Sequence, residues 1–220
     1  MTHHLDFNWR TAPAAAPEVL PPLPSPALKN KNILLASNSP RRRELLGMIL
    51  PAFDIVTSKN VKETYPANLE PTDVPAYLSR LKAEAYNDIL QPDELIITAD
   101  TVVILDGKIL GKPKDSDEAE DMLRHLQNNT HTVVTGVTLT SLEGLKQDTF
   151  SVATDVTFGP LTDEEIATYV ELYKPLDKAG GYGIQEWVGG AAIEGINGCF
   201  YNVMGLPLHA LYQHLKKFFS

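Results

Sequence analysis

The segment LIITADTVVIL, residues 95 to 105, places the tightest limit on how this chain can fold. Its β-branched residues favour an extended strand, and the Asp106-Gly107 pair that follows is a strong hairpin-turn signal leading into a second strand at Lys108 to Leu110. Asp100 interrupts the run among Ile96, Ile97, Val102, Val103 and Ile104. An unpaired carboxylate is costly to bury in such surroundings, so it has to be paired, bound to a metal or placed at the mouth of a site. An aspartate that ends a strand and bonds to backbone is common, but here apolar residues continue beyond it.

A second constraint comes from ILLASNSPRRRELLG, residues 33 to 47. Residues 33 to 36 make a short buried strand, Ser39 suits an N-cap and Pro40 the first helical position, and Leu45, Leu46, Ile49 and Leu50 supply an apolar stripe. The charge fits this helix badly. A helix N-terminus carries partial positive charge and free amide donors, yet Arg41, Arg42 and Arg43 add like charge there. Helical geometry places Arg42 near the axis of the inner face, Arg41 at its edge and Arg43 on the opposite side. Long helical side chains lean toward the N-terminus, so Arg41 and Arg42 are expected to project in front of the first turn, beside the Ser37 and Ser39 hydroxyls. That outlines a phosphate site; a basic surface turn balanced by acids elsewhere is the alternative.

The chain has 220 residues, long enough for one large domain or two small lobes, and its 43% hydrophobic content supports a core. Residues 1 to 30 are the exception, a Pro-rich, Ala-rich segment expected to form a flexible tail ahead of one domain at 31 to 220. The adjacent His3 and His4 in that segment are expected to be solvated. A net charge of −9, with no concentration of Lys and Arg outside the arginine cluster, argues against a nucleic-acid polymer and leaves a small anion as the partner. The single Cys199 gives no disulfide framework and no zinc-ligand spacing, which fits a reducing compartment. With no apolar run of transmembrane length and no export signal, the expected location is the cytoplasm, with no membrane partner.

Along the rest of the chain the pattern predicts strands at 53–57, 131–140, 149–158 and 200–203, the middle pair joined by a turn at Leu142-Glu143-Gly144. Helices are expected from Thr72 or Asp73 to about Leu90, after Asp115 or Ser116, after a Thr162/Glu165 capping box, and along Leu208, Leu211, Tyr212 and Leu215. In the first of these, Val74, Leu78, Leu81, Ala85 and Ile89 share one face, and Lys82 lies on it too, either snorkelling to water or facing a partner. Strands and helices alternate without a clean βαβ repeat, so the sheet should be mixed, with flanking helices. Lys112 in GKPKD and Glu63 in VKETYP lie in loop-like segments where solvation is the common fate. The glycines of DKAGGYGIQ do not form G-x-G-x-x-G, there is no P-loop motif, and Asp100 lacks a second Asp two residues on. Rossmann, P-loop and haloacid-dehalogenase readings therefore fail.

Taken in order, SNSPRRRELL, ADTVV, GKPKD, DKAGGYGIQ and NVMGLPL resemble the Maf family of nucleoside triphosphate pyrophosphatases over residues 32 to 217. The resemblance implies an elongated α/β fold like that of the inosine triphosphate pyrophosphatases, with two lobes around a cleft, and hydrolysis of the α–β phosphate bond to a nucleoside monophosphate and pyrophosphate. It matches Asp100 to the proton acceptor and Arg41, Thr101 and Gln185 to positions associated with substrate choice. Ser39, Arg42, Glu63, Lys82 and Lys112 match other polar positions of the cleft. The GIQ ending at Gln185 is similar to the subgroup acting on dTTP and UTP in a house-cleaning role. A divalent cation, Mg²⁺ or Mn²⁺, is implied, with Asp100 and Glu63 as oxygen ligands, and a homodimer is what the family suggests. Whether Asp100 acts as base or metal ligand stays open in the sequence. The competing expectations are a 7-methyl-GTP pyrophosphatase, a non-catalytic nucleotide-binding regulator of septum formation, and a nucleotidyltransferase, which would need a glycine-rich loop where ASNSPRR stands.

Overall fold

The computed structural model describes residues 22 to 57, 59, 61 to 143 and 146 to 219. Its centre is β3 (Glu94–Leu105), the LIITADTVVIL segment, buried over most of its length. Along one edge β3 pairs antiparallel with β5 (Thr130–Ser141), from Ile96 to Ile104. Its other edge is shared. The parallel strand β1 (Asn32–Ala36) lies beside Glu94 to Ile97, and the antiparallel β4 (Lys108–Leu110) lies beside Val103 to Leu105. Among the described residues Thr98 to Val102 therefore have no strand neighbour on that side, and Asp100 sits in the middle of the gap. With β2 (Asp54–Val56), β6 (Lys146–Phe158) and β7 (Ile193–Asn197), the described residues form a sheet of seven strands in the order β2-β1-β3-β5-β6-β7, β4 lying off this path on β3. Parallel and antiparallel pairs coexist, so the sheet is mixed, as the pattern required.

Because strand side chains alternate, the two faces of β3 carry different cores. On one face Leu95, Ile97 and Ala99 pack with α1 (Pro40–Gly47) and α7 (Leu208–Phe218), while Val103 and Leu105 pack with α3 (Ser116–Leu126) and α4 (Asp163–Tyr173). Thr101 lies between these two apolar clusters, bonded to Thr135 of β5. On the other face Val102 and Ile104 meet Val74 and Leu78 of α2 (Val74–Glu84), and Ile96 meets Tyr86 and Leu90.

Gly136 lets α2 lie against the sheet, since a Cβ there would be 2.3 Å from backbone atoms of Pro75 and Ala76. Buried hydroxyls fix the register of that contact: Ser79 bonds Thr138, and Thr98 donates to the Ser79 carbonyl. The helix starts follow the expected chemistry, with Ser39, Asp115 and Thr162 each accepting a first-turn amide and Glu165 completing a capping box.

Some expectations change. Residues 200 to 203 form a helix, α6 (Phe200–Met204), rather than a strand, because Asn202 anchors its side chain to the Val133 carbonyl and Thr154, and Gly205 ends the turn at φ +114°. The short helix α5 (Trp187–Ala191) and β7 were not expected. Helix α2 stops at Glu84, so Ile89, expected on its inner face, is exposed. Of the Pro-rich segment, residues 22 to 30 are described; a 3-10 turn spans Pro26–Leu28 and Leu28 is buried in the core, so packed structure starts before residue 31. The rest of that segment, with His3 and His4, lies outside the described residues, as does Gly144 of the expected turn. Among the described residues no helix is long and apolar enough to cross a membrane.

Candidate active site

A cavity of about 370 Å³ opens at the gap in the edge of β3. Asp100 stands in its floor, 8% exposed. Lys82, projecting from α2 one turn beyond the Ser79 anchor, donates to Asp100 Oδ1 at 2.6 Å and lies 2.9 Å from Glu63 Oε1. The lysine therefore does not snorkel away; one ammonium is shared by two carboxylates. Burial raises the Asp100 carboxyl above the usual aspartate range, with Lys82 and then Arg42 opposing the shift and Glu63 reinforcing it.

Arg42 behaves differently from its expected projection. It turns inward, donating from Nε to the Gly205 carbonyl (2.8 Å), from Nη1 to the Ala99 carbonyl (2.9 Å) and from Nη2 to Thr101 Oγ1 (3.0 Å). The physical reason is the gap itself: Ala99 lies on the stretch of β3 between β1 and β4, and its carbonyl needs a donor that neither of those strands supplies. Thr101 is held in turn by Thr135, which donates to the Asn202 carbonyl. Burial lowers the Arg42 guanidinium from its ordinary value, and Asp100 works against that.

The facing wall is the loop after α4. Arg41 donates to Asp177 Oδ2 at 2.9 Å, and Lys178 donates to Asp177 Oδ1 at 2.8 Å and lies 3.1 Å from Glu186 Oε1. Glu186 is held by the Tyr169 hydroxyl, which also accepts the Gly183 amide. Burial opposes ionisation of Asp177, but hydrogen bonds from Lys178 and Arg41 outweigh it and hold the carboxyl below the usual range. The loop is tied to the sheet through the Gly180 amide and the Gly111 carbonyl, and Gly180 adopts φ +71°, where a Cβ would be strained and would press on Val103 at 3.0 Å. Tyr182, on the cavity wall, is braced from behind by a 2.6 Å hydrogen bond to buried His131.

Ser39, Arg41, Arg42, Glu63, Lys82, Asp100, Thr101, Lys112 and Gln185 thus line one cavity, although 146 positions separate Ser39 from Gln185. Ser37 does not; its hydroxyl accepts the Ser39 amide beneath the helix cap. Asp177, Lys178 and Tyr182 also line the cavity and were not singled out by their chemistry. The available signal was the Asp-Lys pair opening DKAGGYGIQ, where a lysine leads into a close-packed glycine loop. Among the described residues no three His, Cys, Asp or Glu side chains converge as a metal cluster. Asp100 and Glu63 nevertheless offer hard oxygen donors side by side, and no hydrogen bond from a described residue reaches Asp100 Oδ2 or Glu63 Oε2. Two carboxylates completed by substrate oxygens suit Mg²⁺ or Mn²⁺.

A family model described as Maf-like protein matches residues 32–218. The chain belongs to the Maf family. It is 50% identical over 190 residues to a dTTP/UTP pyrophosphatase of Phocaeicola vulgatus, covering 86% of this chain and 97% of that protein. A dTTP/UTP pyrophosphatase of Porphyromonas gingivalis is 53% identical over 193 residues, 87% of this chain and 96% of that one. Among solved structures, the Ham1 protein of Staphylococcus aureus aligns with a TM-score of 0.44 at 17% identity, covering 59% of this chain and 72% of that chain. The matched Maf segment contains every element from β1 to α7 and so the whole cavity.

Proposed function

We propose that this chain hydrolyses the α–β phosphate bond of dTTP and UTP, releasing a nucleoside monophosphate and pyrophosphate, in a cytoplasmic house-cleaning role that extends to modified pyrimidine triphosphates. The observation that carries this reading is the composition of the cavity wall. Five cationic side chains, Arg41, Arg42, Lys82, Lys112 and Lys178, surround three carboxylates on a protein of net charge −9. Positive charge concentrated in one cleft of an acidic protein fits a compact polyanion rather than a long one. The cavity volume falls within the range of small-molecule sites.

Asp100 accepts the proton of the attacking water. Its raised carboxyl pKa makes it a stronger base than an exposed aspartate, and Lys82 fixes the orientation of Oδ1, while among the described residues none donates to Oδ2. Arg41 and Lys112 face the phosphates on which negative charge builds as pyrophosphate leaves, together with the N-terminus of α1. Arg42 has three donors committed to the protein, so it is a fixed charge with two N–H groups left to offer. Asp100 and Glu63 would hold Mg²⁺ or Mn²⁺, which when bound neutralises phosphate charge. Gln185, exposed at the cavity mouth, has an amide that can donate to and accept from a pyrimidine edge.

The test is a panel of nucleoside triphosphates assayed for pyrophosphate with wild type and Gln185→Ala. dTTP and UTP should be the preferred substrates, and the preference over GTP should shrink in the variant. Preference for 7-methyl-GTP in the wild type would contradict the pyrimidine assignment, and nucleotide binding without turnover would point to the regulator.

A further inference from the structure

Asp177 occupies an unusual position: its two carboxylate oxygens bridge a guanidinium and an ammonium on the cavity wall, Oδ2 to Arg41 and Oδ1 to Lys178. This is how a phosphate group would engage the same two cations. The three side chains differ in their freedom to move. That of Asp177 is 56% exposed, whereas those of Arg41 and Lys178 are 21% and 9% exposed. Lys178 also keeps a second counterion, Glu186, which is itself locked by Tyr169.

We propose, on the triphosphate reading of the cleft, that Asp177 is a displaceable stand-in for a substrate phosphate, and that Lys178 is a further substrate-contacting cation freed when Asp177 swings out. While Asp177 is in place, Arg41, Lys178, Asp177 and Glu186 form a neutral group. Once it leaves, the same wall presents one net positive charge. Asp177 can leave at low cost, because a half-exposed ion pair contributes little and water receives the carboxylate. Lys178 cannot follow it, because a buried ammonium does not relocate without its partner. A phosphate with more charge and more acceptor oxygens wins the exchange. When pyrophosphate is the last group in the cleft, the returning carboxylate competes with it and favours its release.

Inorganic pyrophosphate titrated calorimetrically into the full chain reads this competition without requiring turnover. Asp177→Asn and the smaller Asp177→Ser should both bind pyrophosphate about 3- to 10-fold more tightly than wild type. Adding Lys178→Gln to Asp177→Asn should reverse the gain, and Lys178→Arg in that background should retain it. In steady-state assays the Asp177 variants should lower KM for UTP without raising kcat. Thermal melting verifies that each variant is folded. Pyrophosphate affinity that is unchanged or weaker in both Asp177 variants, in a protein whose wild type hydrolyses UTP, would overturn the stand-in role alone. A wild type that neither binds pyrophosphate nor hydrolyses UTP would take the triphosphate reading down as well.

Discussion

On one wall of the cleft, Lys82 of α2 and Asp100 on the unpaired stretch of β3 meet Glu63 from the loop before α2; on the other, Arg41 of α1 meets Asp177, Lys178 and Glu186 of the loop after α4. Both walls alternate cations with carboxylates. They differ in what holds them. Lys82 and Asp100 rest on a central strand paired over nine positions with β5 and on a helix pinned to β5 at Gly136 and Thr138 and to β3 at Thr98. The second wall is a loop tied to the sheet through the Gly180 amide and the Gly111 carbonyl, and it reaches Arg41 of α1 through an ion pair whose acid is half-exposed. A rigid frame suits the group that must meet a water at fixed distance. A loop suits contacts that must be exchanged for those of a substrate.

If the rigid wall carries the chemistry, the largest effect will come from Asp100→Asn, which keeps the shape and removes the base. The rate of UTP hydrolysis should fall about 10²–10⁴-fold with melting temperature not reduced, since a raised aspartate pKa means that burial of its charge costs stability. The acid limb of kcat/KM in the wild type should lie above the ordinary aspartate range, because activity needs the ionised form. Retained activity in this variant would erase the distinction between the walls.

Next comes the support behind the second wall. Burial pushes His131 down to about 4, so it is neutral in the fold, whereas in the unfolded chain it takes a proton below about 6.5. Its contribution is complete above pH 6.5 and lost as pH falls toward 4, about 3 kcal/mol over that window. Asp177, with its lowered pKa, acts in the same direction and Asp100 in the opposite one. Urea unfolding at pH 7 and pH 5 should show about 2 kcal/mol of this loss in wild type and a smaller one in His131→Gln; an equal loss would remove His131 as its source.

Gly136→Ala loosens the rigid wall itself. With Pro75 and Ala76 backbone 2.3 Å from the new methyl, α2 must move, at about 1–3 kcal/mol of stability, and Lys82 must move with it. Activity should fall more than the folded fraction does. The smallest effect belongs to Asp177→Ser, which should change stability by less than about 1 kcal/mol, as expected for a half-exposed ion pair.

Much of the rigid wall was legible in the sequence. An aspartate inside a β-branched run, a lysine on an apolar helix face and a capped helix starting with three arginines each violate a local preference, and all three violations meet in one cavity. The inward turn of Arg42 was not legible, because it depends on β1 and β4 sharing one edge of β3 and leaving the Ala99 carbonyl without a strand partner. The helical state of 200 to 204 escaped for a similar reason: Asn202 is fixed by Val133 and Thr154, tens of residues away. Asp177 and Lys178 look like ordinary loop charges until α1 brings Arg41 to them.

The most direct test of the account is product analysis with UTP and Mg²⁺, comparing wild type with Asp100→Asn. Hydrolysis at the α–β bond with Asp100 as base requires one pyrophosphate per UMP, with no orthophosphate, and its near disappearance in the variant. Orthophosphate with UDP, or pyrophosphate released equally by both proteins, would contradict it.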